Sequence, residues 1–548
     1  MSATQLTSMA SSMEADKQAV YSAESGDGPT DPHAAAWLAV DEAVQPWIAK
    51  ETSKADASEY PHIFLSLIDD QGKADMGYGN DGLDQLAEAT PFMDLLADDG
   101  IKLDKYYSQQ LCTPSRSALL SGYYPIHTGM QHDVIQPESM FGMPAGHKLM
   151  PSFLKEFAGY RTHMIGKWHL GHYQSKYLPH KRGFDEFYGY LSDQLWYYNH
   201  KSPHACSGSN CYYDMQRNGA IAEDSIGVYS TFLFVDAFTD VLENEDASTP
   251  LFMYLSWQNV HAPLDPPPAS FYTKTELSLV NSIEDPHRRT FASITIVLDN
   301  AMKKVVGAMK KSGFYDNSIL VVASDNGGCS GSGGYNYPYR GGKQYLYEGG
   351  IHVNAFIHSP LIPKSARGTS YQGLFHVSDW LPTLILHNID LWSLEIYGNV
   401  TKLRTPIQAI RVGDMKLVMG QGVDALLADG DDVPEGIGYC MPSYESTEDC
   451  SYEYGDQKYL YNITADPASS WTVDGPPALV STLEAKLAGY EATMVSPAYR
   501  NSNYDLAYSA WAGLNSNFIG PFDDPVEVAL TGLVGNTAGD MNDDKAIN

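Results

Sequence analysis

Hydrophobic positions in this chain come in short unbroken blocks separated by polar turns. His62-Ile63-Phe64-Leu65-Ser66-Leu67-Ile68 stands between Pro61 and Asp69-Asp70 and reads as a buried strand. Runs of the same kind recur at 250–257, 318–324 and 353–358. Between them the spacing turns helical, as in Leu298-Asp299-Asn300-Ala301-Met302 and on to Met309-Lys310-Lys311-Ser312-Gly313, where Gly313 is a natural stop. Strands alternating with helices predict an α/β domain on a largely parallel sheet. Polar residues follow the runs: Asp69 and Asp70 the first, Gln258 to His261 the second, Asp325 and Asn326 the third. Ligands of open α/β sheets bind beyond the carboxyl ends of the strands, which makes these the candidate site positions.

Beyond residue 390 the pattern is shorter and richer in turns, with strand pieces at 407–417 and 459–462 and a helical stretch at 482–494. This predicts a smaller second domain. Residues 1–58 read as an acidic, poorly ordered extension with a helical stretch near 34–49, and the Gly/Asn/Asp-rich tail from 529 as disordered. The expected division is 1–58, 59–385 (catalytic), 386–528 (smaller domain) and 529–548.

Composition narrows the partners. At 548 residues the chain is too long for one core. Its formal charge of −32, from 35 basic and 67 acidic side chains, argues against nucleic acid and anionic membranes. Any anion site must therefore be a local cluster of cations. No apolar run reaches the length of a membrane-spanning helix. No secretory signal is visible: the best apolar stretch near the start, 34–40, is followed at once by Asp41 and Glu42. The pairs Cys206/Cys211 and Cys440/Cys450 lie in loop-like stretches and are expected to form short-range disulfides in a secreted chain. Sequons at Asn399 and Asn462 lean the same way.

Two groups of residues carry chemistry. Cys112-Thr113-Pro114-Ser115-Arg116, continuing Ser117-Ala118-Leu119-Leu120-Ser121-Gly122, reads as a helix start. A thiol there, with Arg116 close by, is expected to have a lowered pKa. Asp69, Asp70, Asp325 and Asn326 offer only oxygen donors, a set that selects Ca²⁺ or Mg²⁺ over zinc. A lone Asp-Asp or Asp-Asn pair is more often turn or cap chemistry; two such pairs at strand ends beside the cysteine motif reverse that weighting.

Cys-x-Pro-Ser-Arg followed by Leu-Leu-x-Gly resembles the signature of type I sulfatases, in particular the N-acetylgalactosamine-4-sulfatase (arylsulfatase B-like) branch. The likeness covers roughly residues 60 to 525 and includes Gly166-Lys167-Trp168-His169-Leu170-Gly171, Arg182-Gly183-Phe184-Asp185, Asp325-Asn326-Gly327-Gly328, Arg340-Gly341-Gly342-Lys343 and Glu348-Gly349-Gly350. It implies an alkaline-phosphatase-like fold: a large mixed, mostly parallel sheet flanked by helices, plus a smaller C-terminal α+β domain. It implies conversion of Cys112 to formylglycine by a formylglycine-generating enzyme. The hydrated aldehyde attacks sulfur, and reforming the aldehyde expels sulfate. One calcium ion would be held by Asp69, Asp70, Asp325, Asn326 and the group at Cys112. Arg116 and His169 would orient the nucleophile, Lys167 and Lys343 would grip the sulfate, and His261 would protonate the leaving oxygen. The implied partner is a sulfated carbohydrate or aryl sulfate, and the implied compartment the secretory pathway, lysosomal or extracellular.

The chain departs from the family at Ser121-Gly122-Tyr123, where Thr-Gly-Arg is usual. It also departs at 384–386, where a connecting segment between the two domains is nearly missing, and in its lack of a visible signal. A phosphonate monoester or phosphodiester hydrolase of the same superfamily, or a non-catalytic protein that binds sulfated glycans, are the alternative readings. Trp196, Tyr197 and Tyr198 suit either sugar stacking or packing. His163, His172, His180 and His204 lie outside every motif and read as ordinary surface or pocket residues.

Overall fold

The structure is a computed structural model that describes residues 60–80, 82–131, 133–386, 395–400, 407–421, 454–466, 476–498, 502–513 and 518–523. The expected helix at 34–49, the Cys440/Cys450 pair and the tail lie outside these residues. Strands in chain order are β1 (His62–Ile68), β2 (Ile101–Tyr107), β3 (Arg161–Lys167), β4 (Glu186–Tyr190), β5 (Lys201–Ser207), β6 (Asn210–Tyr213), β7 (Gln216–Arg217), β8 (Ala220–Ile221), β9 (Leu251–Ser256), β10 (Ser318–Ser324), β11 (Ala355–His358), β12 (Thr369–His376), β13 (Glu395–Val400), β14 (Ile407–Val412), β15 (Met415–Gln421) and β16 (Tyr454–Asn462). The helices that matter below are α1 (Pro91–Asp98), α2 (Cys112–Ser121), α3 (Met150–Ala158), α4 (Ser230–Asn244), α5 (Pro286–Lys311), α6 (Trp380–Leu386) and α7 (Pro477–Ala492).

Ten strands form one sheet in the order β12-β2-β11-β10-β1-β9-β3-β4-β7-β8. β1 lies at its centre, parallel to both β10 and β9. β3 continues the parallel set beside β9 and β4. The sheet is mixed, because β11 runs antiparallel to β10 and to β2. The apolar run at 353–358 is thus a strand only from Ala355, and its direction differs from that of its neighbours.

Both faces of the sheet are covered, which is why the central runs are unbroken. Phe64 and Ile68 of β1 face a core shared with Phe234, Val235 and Phe238 of α4 and Ile294, Val297, Leu298 and Met302 of α5. Ile63, Leu65 and Leu67 face the opposite core, with Leu119 and Leu120 of α2, Met150 and Leu154 of α3, and Trp380 and Leu384 of α6. α5 begins well before its apolar stripe. Asp285 caps it by accepting from the Arg288 amide, Pro286 occupies its first turn, and it ends before Gly313, at φ 80°.

The C-terminal unit is the antiparallel sheet β13-β14-β15-β16. A tight turn at Gly413, φ 58°, splits the expected strand at 407–417 into β14 and β15. Ile410, Leu417 and Leu460 pack on Leu483 and Leu487 of α7. Ala409, Val418 and Tyr461 face Tyr107, Tyr347 and Ile351 of the large domain. α6 runs unbroken through the short 384–386 junction to Leu386.

Candidate active site

The carboxyl ends of β1, β3, β9 and β10 converge, and the candidate residues lie just beyond them. Asp69 is tied to the loop after β9 by two backbone bonds, from its amide to Asn259 O and from the Val260 amide back to it, at 2.9 and 2.7 Å. Asp70 takes a left-handed conformation, φ 58°, and its amide donates to Asp325 Oδ1 at 3.1 Å. Asn326 Nδ2 donates to Asp70 Oδ1 at 2.7 Å. Two chain-distant Asp-containing pairs thereby share one site. Such strained backbone persists only where surrounding bonds enforce it.

α2 presents Cys112 at its first turn, and every residue of α2 is buried. Cys112 Sγ lies 3.5 Å from Asp69 Oδ1. One turn on, Arg116 donates from Nε and Nη2 to Asp325 Oδ2 at 3.1 and 2.7 Å, and from Nη1 to Ser256 Oγ at 2.5 Å. Lys167, the last residue of β3, donates to Asp69 Oδ2 at 2.6 Å. Lys343 donates to Asp70 Oδ2 at 2.8 Å and lies 2.8 Å from His261 Nε2. His261 Nδ1 is 2.5 Å from Ala262 O, so Nδ1 carries the ring proton and Nε2 accepts from Lys343. His169, φ 55°, is fixed by Nε2 to Ile135 O at 3.1 Å, and its main-chain carbonyl accepts from Thr113.

The electrostatics follow from burial among paired charges. Burial pushes Asp70 up, but Lys343 and then His261 outweigh it and hold the carboxyl well below its ordinary range. Asp325 is raised to about 6 by burial and by the neighbouring Asp69, against the pull of Arg116. His261 is lowered to about 3 by burial and by Lys343. The expectation for Cys112 is overturned. Its thiol is pushed well above the ordinary value, because the group is buried and faces Asp69 and Asp325, and these effects exceed the pull of Lys167 and Lys343. The unmodified thiol is therefore a poor nucleophile.

A hard divalent cation fits this donor set. Ligand atoms of Asp69, Asp70, Cys112 and His261 lie within 4.8 Å of one another. Asn326 Oδ1 is buried beside them with no hydrogen-bond partner, which is an oxygen in want of a positive charge. All ten candidate residues named from the sequence fall in this one region. Ser256, which holds the Arg116 guanidinium, was not among them, although it lies in the 250–257 run and ends β9. Tyr197 is fully buried, with its hydroxyl donating to Gln258 O and His261 O at 3.3 and 3.2 Å; it is packing. Among the described residues, no helix is long and apolar enough to cross a membrane.

Residues 61–387 match the family model described as Sulfatase, a span that holds all ten candidate site residues. The chain is 36% identical over 492 residues to arylsulfatase J of Mus musculus, covering 82% of this chain and 78% of that one. It is 30% identical over 325 residues to N-acetylgalactosamine-6-sulfatase of Mus musculus, covering 56% and 58%. The solved structure of Ps i-CgsB superposes with a TM-score of 0.66 at 24% identity, covering 82% of this chain and 96% of that one, and shares the fold. With the whole site inside the matched region, the chain belongs to the sulfatase family and is an enzyme that hydrolyses sulfate esters.

Proposed function

We propose that the chain cleaves the sulfate ester of a sugar or aryl alcohol, using formylglycine at position 112 and one calcium ion. The observation that carries this is the meeting of Asp69, Asp70, Lys167, Lys343 and His261 around a helix-initial Cys112. Asp69, Asp70, Asp325, Asn326 and the group at 112 would hold the calcium, which supplies positive charge to the sulfate oxygens. Formylglycine supplies the attacking oxygen and a route to release sulfate.

The remaining work falls to the chain's own side chains. Arg116 is locked by Asp325 and Ser256 and keeps the start of α2 fixed. Lys167 and Lys343 place two positive charges where sulfate charge develops. His261 and Lys343 form a hydrogen-bonded pair that can deliver one proton to the leaving oxygen. Cys112 and the rest of α2 are buried, so a formylglycine-generating enzyme must act before this region folds. The Cys206–Cys211 disulfide supports an oxidising route, the secretory pathway. N-acetylgalactosamine sulfates are the first sugars to try, since one relative bears that name.

The test is aryl sulfate hydrolysis by the chain co-expressed with a formylglycine-generating enzyme, with calcium present, beside Cys112→Ala. Turnover by wild type and none by the variant is expected. A converted, folded wild type that turns over an aryl phosphate diester but no aryl sulfate would overturn the reading.

A further inference from the structure

β4 lies parallel to β3, with Tyr190 in register with Lys167, so the chain leaves β4 on the catalytic edge of the sheet. Residues 191–197 run beside the loops that carry His169 and His261. Leu191 O accepts from the His169 amide at 3.2 Å. Further along, Leu195 O accepts from Gln258 Nε2 at 2.6 Å and the Tyr197 hydroxyl donates to His261 O at 3.2 Å. This segment is thus bonded to both histidine loops of the candidate site.

The same segment carries Asp193, only 5% exposed. Its Oδ2 makes a very short contact with His204 Nδ1, while Oδ1 is buried with no hydrogen-bond partner. His204 comes from β5, in a hairpin closed by the Cys206–Cys211 disulfide. Its side chain is 36% exposed, and the Gln194 amide lies 3.1 and 2.8 Å from its two ring nitrogens. Charged neighbours are Asp193 and Glu138, which favour the imidazolium, and Lys343, which opposes it. Glu138 accepts from the Tyr508 hydroxyl at 2.6 Å. Asp193 also feels His169 and Lys167. Burial works against the charged ring, but Asp193 outweighs it and holds the His204 pKa above its ordinary value.

A chain of net charge −32 repels polyanions unless each substrate charge meets a local cation. Lys167 and Lys343 serve the scissile sulfate. We propose that His204, oriented by Asp193, is a specificity residue that binds a second oxyanion on the same sugar substrate, a neighbouring carboxylate or a second sulfate. Asp193 is then a positioning residue. This rests on the sulfatase function proposed above.

The test uses converted wild type, His204→Gln and Asp193→Asn, with 4-nitrophenyl sulfate as reporter. A uronate-linked N-acetylgalactosamine 4-sulfate disaccharide and N-acetylgalactosamine 4,6-disulfate are added as competitors, so they report binding whether or not they are cleaved. The expected result is a Ki for at least one competitor that rises about tenfold or more in His204→Gln, a change much larger than that in the reporter's KM. In wild type the same Ki is expected to rise as pH passes above the His204 titration, and this step should vanish in the variant. Asp193→Asn should shift that step to lower pH. Loss with the disaccharide alone identifies the carboxylate, and loss with the disulfate alone the second sulfate. No competition by either sugar, or equal losses for reporter and competitors, would overturn the proposal. Absent reporter turnover would instead sink the sulfatase function, and calorimetric titration of the disaccharide into wild type and His204→Gln then decides the role of His204.

Discussion

Lys416→Met probes the joint between the two domains. Glu348 is fully buried on the large domain, and its Oε1 accepts from Lys416 Nζ, on β15, at 2.7 Å. Its Oε2 accepts from the Tyr107 hydroxyl at 2.6 Å and lies 3.0 Å from His352 Nδ1 and 3.4 Å from Arg411 Nη1. Burial pushes Glu348 up, but Lys416 and the hydrogen bond with His352 outweigh it and hold the carboxyl below its ordinary value. Removing one partner of a buried pair costs about 3–5 kcal/mol, because the other charge is left unpaired. Here the second oxygen keeps its partners, so the lower end, about 3 kcal/mol, is expected. Adding Glu348→Gln removes the stranded charge, and the double variant should recover part of the loss. Denaturant unfolding followed by tryptophan fluorescence reads both. The reasoning fails if Lys416→Met costs under about 1 kcal/mol, or if the two losses simply add. Turnover should fall too, because Gly349, next to Glu348, donates to Arg340 O at 2.7 Å, in the loop that carries Lys343.

Two further outcomes follow from buried charge. Burial lowers His62, His172 and His200 to about 4 and His376 to about 3, so their contribution to stability is present above pH 6.5 and lost as pH falls towards 4. Burial raises Asp94 and Asp214 to about 7 and Asp299 to about 8, so theirs is present below pH 3.8 and lost as pH rises through 7 to 8. The two sets offset each other in mildly acidic solution, and unfolding across pH 4 to 9 should show greatest stability near pH 6–7 with a decline on both sides; a stability still climbing at pH 8 would refute this. Calcium removal should weaken anion binding as well as turnover, since the carboxylates that would hold the ion now hold Lys167 and Lys343. Calorimetry of inorganic sulfate with the Cys112→Ala protein, with and without chelator, checks it, and equal affinities would count against the coupling.

The parts of the site legible in the sequence are those written locally. β1 shows as an apolar run because both its faces are buried, and Asp69 and Asp70 mark its end. The same holds for β10 with Asp325 and Asn326. β2 stayed hidden because Ile101-Lys102-Leu103-Asp104-Lys105 mixes charges into a strand only partly covered. The antiparallel direction of β11 is a property of its pairing and leaves no trace in the composition of the run. The Cys112 thiol was misjudged because a helix N-terminus is local, whereas the carboxylates of Asp69 and Asp325 arrive from other strands. His204 carried no motif for the same reason: Asp193 meets it only through the exit of β4 and the folding back of β5.

One rule connects these distant contacts. The protein is strongly acidic in sum, yet the cations at its candidate site and domain joint are each held by a carboxylate: Lys167 by Asp69, Lys343 by Asp70, Arg116 by Asp325, the half-exposed His204 by Asp193, Lys416 by Glu348. Burying an ion is tolerable only when an opposite charge and hydrogen bonds replace the lost water. Matched pairs of this kind add little to stability, but each fixes the geometry of two loops at once. At the proposed catalytic centre the matching would also keep the cations in reserve. A divalent ion among the carboxylates would compete for their oxygens, and the lysine charges would then face the pocket, where an otherwise repelled sulfate can meet them. A strongly acidic chain and a locally cationic site would therefore be compatible, because binding would depend on charges exchanged within a few ångströms and not on the long-range field, which salt screens.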